Sequence, residues 1–379
     1  MIMENGIDRV KARVLAFYLP QFHPIPENDK WWGKGFTEWT NVGKARRFFP
    51  GHYQPRVPAD LGYYDLRVPE TREAQAMLAR EYGIEGFVYW HYWFGNGKRL
   101  LERPFNEVLA SGKPDFPFAL AWANESWRGF WHGIKTKETL IDQEYPGDED
   151  YIAHFKAVLP AFQDKRYIRC HGKPLFFIYH YEQIPDVAHF IELWQRLAKE
   201  NNLPGIHFVA HEQNLYSKEC GDEILKEMIK MGFSSLNVTN HLGRYMIRRP
   251  LWLRVLRRIL LCNRFINKFH LIPDIRPYCL EDLQSPIDGE DFVIPSISPG
   301  WDHTPRTGRT GRVLIGSSPE KFQKLTEVQL AKIMRKPFEE RFLVVKSWNE
   351  WAEGNYLEPD MRYGNRYLQA LRNAILVGN

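Results

Sequence analysis

Short apolar segments alternate with amphipathic segments along almost the whole chain. The apolar segments are rich in aromatic and β-branched residues, which is typical of buried strands. The amphipathic segments repeat apolar residues every three or four positions, and some begin near a proline, which predicts helices. The predicted strands are 13–20, 86–94, 116–122, 173–181, 206–210, 234–238, 292–297 and 342–346. The predicted helices are 69–82, 100–110, 148–162, 187–200, 219–231, 319–335 and 365–377.

This alternation predicts a parallel sheet whose strands are connected by helices. Eight such units within 379 residues favour an α/β fold, namely a closed (β/α)8 TIM barrel with loop insertions. A doubly wound open sheet is the alternative, but no glycine-rich phosphate-binding loop follows the first predicted strand. We therefore expect one barrel domain over residues 1–379, with a long structureless loop at 21–66 and a basic insertion at about 241–291.

Composition and charge narrow the class of protein further. The net charge of +5, from 51 Lys+Arg and 46 Asp+Glu, is too small to indicate a nucleic-acid partner. Four scattered cysteines without a C-x-x-C pair favour reduced thiols over a disulfide framework or a zinc site. The N-terminal segment does not resemble a signal peptide, and no apolar run of about 18 residues occurs. We therefore expect a cytoplasmic protein without a membrane-spanning helix.

The stretch after the last predicted strand places two carboxylates beside two tryptophans. Its sequence, WNEWAEG, spans Trp348–Gly354 and puts Glu350 and Glu353 three residues apart. Breaking a glycosidic bond requires two carboxyl groups, and tryptophan faces supply apolar surface for sugar rings. The alternative is a pair of solvated glutamates that open a helix and are stabilised by its dipole. An aromatic content of 15%, with 13 Trp, suits either a carbohydrate cleft or a large core.

Polar and aromatic residues also follow nearly all of the remaining predicted strands. In a (β/α)8 barrel, the active site lies at this carboxyl-terminal end of the strands. A single histidine there is more often a hydrogen-bonded structural residue than a catalyst. The alternative for Trp39 is to hold the first loop in place, and the alternative for Glu38 is a surface carboxylate. No H-E-x-x-H motif accompanies His211 and Glu212, so we expect no metal and no cofactor. We predict Glu350 and Glu353 as catalytic residues, with sugar contacts from Tyr18, His23, Glu38, Trp39, His91, Tyr92, Trp122, Asn124, Glu125, Tyr179, His211, Trp301, Asn349 and Trp351.

Four motifs, taken in order, resemble the WbsX family. That family is associated with bacterial lipopolysaccharide and capsule gene clusters and is often labelled glycosyltransferase. It is similar in turn to the endo-α-mannosidases of glycoside hydrolase family 99, which are (β/α)8 barrels with an N-E-W-x-E-G motif and E-P shortly after. The motifs here are FYLPQFH at Phe17–His23, WWGKGFTEW at Trp31–Trp39, WANE at Trp122–Glu125, and WNEWAEG at Trp348–Gly354 followed by Glu358 and Pro359.

The resemblance implies a retaining mechanism through a 1,2-anhydro sugar. Glu350 would remove the proton from the sugar 2-hydroxyl, and Glu353 would protonate the leaving oxygen and later activate water or an acceptor. This differs from the usual nucleophile scheme of retaining enzymes but still needs two carboxyls with separated pKa values. Away from this motif the mannosidase residues do not align, so the sugar and its linkage stay open.

Three functions remain as alternatives. The paired glutamates favour a retaining endo-glycosidase or transglycosylase that acts on an oligosaccharide or lipid-linked glycan in surface-polysaccharide metabolism. The family label favours a sugar-nucleotide-dependent glycosyltransferase, against which the absence of a phosphate-cradling glycine loop counts. A non-catalytic sugar-binding barrel is the third alternative, against which the presence of both Glu350 and Glu353 counts.

The basic insertion suggests a further contact. Segment 244–268 contains eight basic residues and no acidic one, interleaved with leucines and other apolar residues. One interpretation is a basic amphipathic helix on the anionic inner leaflet of the membrane. The other is the sixth helix of the barrel with a solvated basic face.

Overall fold

The structure is a computed structural model that describes residues 10–129, 139–240 and 273–377. Eight strands form a closed parallel ring, in which each strand pairs with the next along the chain and the last pairs with the first. The predicted (β/α)8 TIM barrel is therefore confirmed. The strands are β1 Arg13–Tyr18, β2 Gly86–Trp93, β3 Phe118–Trp122, β4 Lys173–Ile178, β5 His207–Gln213, β6 Ser235–Thr239, β7 Val293–Ile297 and β8 Phe342–Val345.

The longer helices cover the outside of this ring and bury one apolar face against it. Several begin at a side-chain cap, as where Asp186 accepts a hydrogen bond from the His189 N–H at 3.0 Å. The described helices are α1 Pro26–Trp32, α2 Glu38–Gly43, α3 Pro69–Glu81, α4 Arg103–Ser111, α5 Asp148–Gln163, α6 Val187–Glu200, α7 Lys218–Met231, α8 Thr304–Thr307, α9 Pro319–Ile333 and α10 Arg366–Ile375.

Two predictions for individual elements were wrong. The segment 21–66 is not structureless, because it contains α1 and α2. Both helices are too short to show an apolar repeat in the sequence, although Pro26 stands at the first position of α1. The strand predicted at 206–210 continues to Gln213, so His211 lies inside β5 and not beyond its end.

The basic insertion is only partly described. Residues 273–291 include the short strand Asp274–Pro277, which pairs in parallel with Arg312–Ile315 beside the loop after β7. The segment 244–268, for which membrane contact was one interpretation, lies outside the described residues. Across the parts of the chain that the structure does describe, we find no helix with the length and apolar character needed to cross a bilayer.

Candidate active site

Glu350 and Glu353 lie in the loop that follows β8, at the mouth of the barrel. The Asn349 side chain ties this loop to β1, because it accepts a hydrogen bond from the Leu19 N–H at 2.8 Å and donates one to the Leu19 carbonyl at 3.0 Å. These bonds continue the pairing of β1 with β8 and fix the position of the loop that carries the two glutamates. The alternative of two solvated glutamates opening a helix is wrong, because Glu350 is buried and its turn ends at Glu353.

The loop after β7 brings a cation to the two glutamates. Asp302 holds the first residue of α8, since its Oδ1 accepts hydrogen bonds from the Thr304 N–H at 3.0 Å and from the Thr304 hydroxyl at 2.6 Å. The Asp302 N–H donates to the Glu353 carbonyl at 2.5 Å, which joins the loops after β7 and β8. This approach requires Gly354, where φ is +58° and a Cβ would lie 2.7 Å from the Asp302 Cβ. Helix α8 carries Arg306.

The guanidinium of Arg306 contacts three carboxylates, and we call these four side chains the arginine cluster. Its Nη1 donates to Glu353 Oε1 at 2.5 Å, its Nη2 to Glu350 Oε2 at 3.2 Å, and its Nε to Glu38 Oε2 at 3.2 Å. Side-chain exposure is 0% for Glu38 and at most 13% for the other three. Glu38 opens α2 and also accepts a hydrogen bond from the Asn41 amide at 3.3 Å. Its alternative as a surface carboxylate is therefore wrong.

Negative charge is in excess in the arginine cluster. Burial raises the pKa of Glu350 well above its usual range, and the Glu353 charge adds to this, while Arg306 and Lys346 offset it only in part. The nearby His303 Nε2 lies 3.9 Å from Glu353 Oε1, but burial lowers the pKa of His303 and leaves the imidazole uncharged at neutral pH. Since a guanidinium cannot lose its proton in a protein, Arg306 is the fixed positive charge of the group.

The arginine cluster, apart from Glu38, forms one wall of a cleft of about 480 Å³ at the carboxyl ends of the strands. Such a volume is within the range of small-molecule sites, and the combination of ring faces with a few polar groups suits a sugar. The aromatic residues that line the cleft are Trp90, Tyr92, Trp127, Tyr179 and Trp301. The other polar residues that line it are Gln21, Glu125, Gln213, His303 and Lys346.

The structure brings part of the predicted site together in this cleft. The predicted residues that line it are Tyr92, Glu125, Tyr179, Trp301, Glu350 and Glu353. Within this set, Glu125 is paired with His180 at 3.5 Å. Burial alone would lower the pKa of His180, but the hydrogen bonds that its ring donates to Glu125 and Glu182 outweigh it and raise this pKa to about 9. The roles of these residues toward a substrate stay predictions.

Three predicted sugar contacts face the surrounding helices instead of the cleft, because successive side chains of a strand point to opposite faces. The Tyr18 hydroxyl donates to Gln75 of α3 at 2.7 Å, and His91 Nε2 lies 2.8 Å from His154 Nε2 of α5. The Trp122 ring packs edge-on against His154, with 4.7 Å between the ring centroids. Their neighbours Phe17 and Trp90 occupy the inner face of the barrel, where their rings stack 4.6 Å apart.

The remaining predicted contacts hold the loops and the barrel interior in place. Each makes a hydrogen bond of 2.6–2.9 Å to a protein partner and is not among the residues that line the cleft. These residues are His23, Trp39, Asn124, His211, Asn349 and Trp351. Glu38, which is buried in the arginine cluster, is also not among the residues that line the cleft.

Behind the cleft, Glu358 accepts hydrogen bonds from three uncharged donors, and we call this the Glu358 network. Its Oε2 accepts from Trp351 Nε1 at 2.6 Å and from the Tyr64 hydroxyl at 2.8 Å. Its Oε1 accepts from the Gln75 amide at 2.6 Å. Burial raises the pKa of Glu358 to about 7, against the effect of these donors.

Several residues of the cleft were not predicted from the sequence. Trp90 and Trp127 each lie beside a predicted residue or motif, and Lys346 ends the last predicted strand. Arg306 follows Thr304 and Pro305, which indicate the start of a helix. Two buried carboxylates need a cation beside them, and this need indicates an arginine or lysine from another loop. Over residues 10–129, 139–240 and 273–377, no group of three or more His, Cys, Asp or Glu side chains is placed to hold a metal ion.

The barrel is similar in fold to solved structures of other proteins. A protein described as glycoside hydrolase-like has a TM-score of 0.57 at 14% identity, covering 100% of this chain and 98% of its own. The family 99 endo-α-mannosidase of Bacteroides thetaiotaomicron has a TM-score of 0.54 at 15% identity, covering 96% of this chain and 95% of its own. At this identity the likeness establishes the fold, a (β/α)8 barrel.

The sequence matches the WbsX glycosyltransferase family over residues 14–371, so the chain belongs to that family. The chain is also 36% identical over 374 residues to the uncharacterized protein WxcX of Xanthomonas campestris pv. campestris, in two strains. That match covers 97% of this chain and 50% of the relative, so the chain spans about half the length of the curated relatives it matches.

Proposed function

We propose that this chain cleaves or transfers glycosidic bonds with retention of configuration, using Glu350 and Glu353 as its catalytic pair. The observation that carries this proposal is a pair of carboxylates held by one arginine in the wall of an aromatic-lined cleft. Family 99 barrels provide the analogy of fold, and the WbsX resemblance suggests a role in bacterial surface-polysaccharide metabolism. The substrate would be an oligosaccharide or a lipid-linked glycan.

The chemistry follows the scheme that the resemblance implies. Glu350 takes the proton of the sugar 2-hydroxyl while that oxygen forms a bond to C1, and the bond from C1 to the leaving oxygen breaks. Glu353 gives its proton to the leaving oxygen. Glu353 then takes a proton from water or from an acceptor hydroxyl, which opens the anhydro sugar at C1 as Glu350 returns its proton to O2. Water gives hydrolysis and a second sugar gives transglycosylation.

A sugar-nucleotide-dependent glycosyltransferase is the second candidate, and the description of the family favours it. Enzymes that bind a nucleotide diphosphate without a metal need free cations for its charge. Arg306 is committed to three carboxylates, and Lys346 is the other cation of the described cleft. The arrangement therefore supports a glycoside as the donor substrate better than a sugar nucleotide.

A panel of α-mannosides, other glycosides and sugar nucleotides, each with and without an acceptor sugar, tests these functions by mass spectrometry. We expect glycoside turnover that Glu350→Gln and Glu353→Gln each reduce by about 10³-fold or more, since proton transfer in the transition state is lost. Glu212→Gln is the control, because Glu212 lies on β5 at the same end of the barrel, outside the cleft lining. Sugar-nucleotide turnover that survives both substitutions would contradict the assignment.

Membrane contact through segment 244–268 is a separate hypothesis. It rests on the eight basic residues of that segment and would bring the cleft near a lipid-linked glycan. Sedimentation with anionic vesicles at physiological salt tests it. We expect binding that Arg254→Glu and Arg257→Glu weaken, and binding that ignores these changes would contradict the hypothesis.

A further inference from the structure

The arginine cluster has one cation for three carboxyl groups, and its contacts are unequal. Nη1 of Arg306 lies 2.5 Å from Glu353, whereas Nη2 lies 3.2 Å from Glu350. The third contact, from Nε to Glu38, involves a carboxylate that has no exposure to water. Glu38 also lies 3.2 Å from Nη2 and therefore anchors the guanidinium at two nitrogens. Nη1 faces Glu353, and Nη2 is shared between Glu38 and Glu350.

A charge count favours one bound proton in this group. With every carboxyl ionised, one guanidinium would leave a net charge of two negative units among side chains that are at most 13% exposed. Charges removed from water in this way are costly unless they are paired or one of the groups takes up a proton. Glu353 has the short contact with Arg306, and Glu38 contacts both Nε and Nη2, whereas Glu350 has a single contact at 3.2 Å. The geometry therefore assigns the proton to Glu350.

Other titratable groups around the pair leave this distribution unchanged. Lys346 favours ionisation of Glu350 but does not outweigh its burial and the charge of Glu353. Burial raises the pKa values of Tyr92 and Tyr179 and lowers that of His303, so all three are uncharged at neutral pH. Glu125 has its own partner in His180, and Asp302 is held by His52, Gln54 and Thr304.

We propose that Arg306 is a positioning residue that places the one proton shared by Glu350 and Glu353 on Glu350 in the free protein. This inference rests on the proposed function. That function needs the opposite distribution, with the proton on Glu353 as the acid and a negative charge on Glu350 as the base. The guanidinium must therefore give up its contact with Glu353 before Glu353 can act as an acid. The proton then passes from the Glu350 carboxyl to the Glu353 carboxylate, and the number of protons on the pair is unchanged.

Infrared spectra of the free protein test this placement without any substrate. Protein labelled with ¹³C at the glutamate carboxyls shows a band for protonated carboxyl groups, and a variant identifies which residue produces it. We expect Glu350→Gln to remove most of the band that the pair contributes at pH 7, and Glu353→Gln to remove little of it. A band lost chiefly with Glu353→Gln would overturn the proposal.

Arg306→Gln then tests whether the arginine is responsible. We expect Glu353→Gln to remove a clear part of the band in this background, and the pH at which the pair takes up its proton to rise by about one unit or more. Arg306→Lys keeps the charge and should keep the proton on Glu350, which guards against a folding defect in the first variant. Arg309→Gln, an exposed arginine of the same loop, is the control and should change nothing.

The pH dependence of kcat/KM gives a second readout, because it reports the ionisation of the free enzyme. We expect Arg306→Gln to shift this profile, whereas a merely structural role would lower its height alone. Unchanged spectra and an unchanged profile in Arg306→Gln would overturn the proposal. The expected spectra without turnover of any glycoside would instead contradict the proposed function and leave the proton placement intact.

Discussion

The Glu358 network and the arginine cluster both bury carboxylates, and they stabilise them in opposite ways. In the Glu358 network, one carboxylate accepts three hydrogen bonds from uncharged donors. In the arginine cluster, three carboxylates share a single guanidinium. The first group is closed off behind the cleft, whereas Glu350 and Glu353 form part of the cleft wall.

The difference indicates which carboxylates are suited to chemistry. Glu358 cannot change partners without leaving three buried donors unpaired, so its position is fixed and its role is to hold Trp351 and Tyr64. Glu350 and Glu353 are short of positive charge, and a small movement of Arg306 changes which of them is ionised. Crowded, perturbed carboxyls in a cleft are typical of catalytic sites, and satisfied ones are typical of structural networks.

Removing Glu358 should have the largest effect on stability. Glu358→Ala leaves Trp351 Nε1, the Tyr64 hydroxyl and the Gln75 amide without an acceptor, so we expect a loss of about 3–5 kcal/mol in the free energy of unfolding. Urea denaturation at pH 7 measures it. Glu223→Ala, at an exposed position of α7, is the control and should cost less than about 0.5 kcal/mol. An equally small loss for Glu358→Ala would contradict a structural role for Glu358.

Asp302 should be the next most sensitive position. Its carboxylate accepts hydrogen bonds from His52 and Gln54 at Oδ2 and from Thr304 at Oδ1. In Asp302→Asn an NH₂ group faces one of these sets of donors, so we expect a loss of about 2–3 kcal/mol in unfolding free energy. Asp291→Asn is the matched control, because the Asp291 side chain is 77% exposed. Equal stabilities of the two variants would contradict this account.

Replacing Glu350 should raise the free energy of unfolding instead of lowering it. Its pKa in the folded protein is raised above the unfolded value, so between the two values the folded state holds the extra proton and stability falls as pH rises. Glu350→Gln cannot ionise, and we expect it to be about 1–3 kcal/mol more stable than the wild type at pH 8 and nearly equal at pH 5. Thermal and urea unfolding across this range measure the difference. A variant that loses stability at pH 8 would show that the pair is not strained.

The sequence predicted the barrel because strand and helix patterns are local. The helix predicted at 187–200 coincides with α6, and the predicted strands lie within a few residues of those observed. The failures came where a local pattern is missing. In β2 the run YWHYW has aromatic or polar residues at every position, so no alternation shows that Trp90 faces inward and His91 outward.

The arginine cluster could not be predicted because its contacts join distant parts of the chain. Glu350 and Glu353 were found from a motif of seven residues. Their partner Arg306 lies 44 and 47 residues away, and Glu38 lies 268 residues from Arg306. Only the closing of the barrel brings the loops after β1, β7 and β8 to one place.

The smallest expected effect tests whether the aromatic cleft binds the substrate. The Trp90 ring lines the cleft and stacks on Phe17, whereas Trp194 of α6 is fully buried outside the barrel. Trp90→Phe keeps a ring on Phe17 but reduces the cleft surface, so we expect KM to rise about threefold with little change in stability. Trp194→Phe should lower the free energy of unfolding by about 1–3 kcal/mol through the cavity it leaves, with KM unchanged. Steady-state kinetics and urea denaturation of both variants separate the two roles, and a KM that responds equally to both would mean that the aromatic wall is only part of the core.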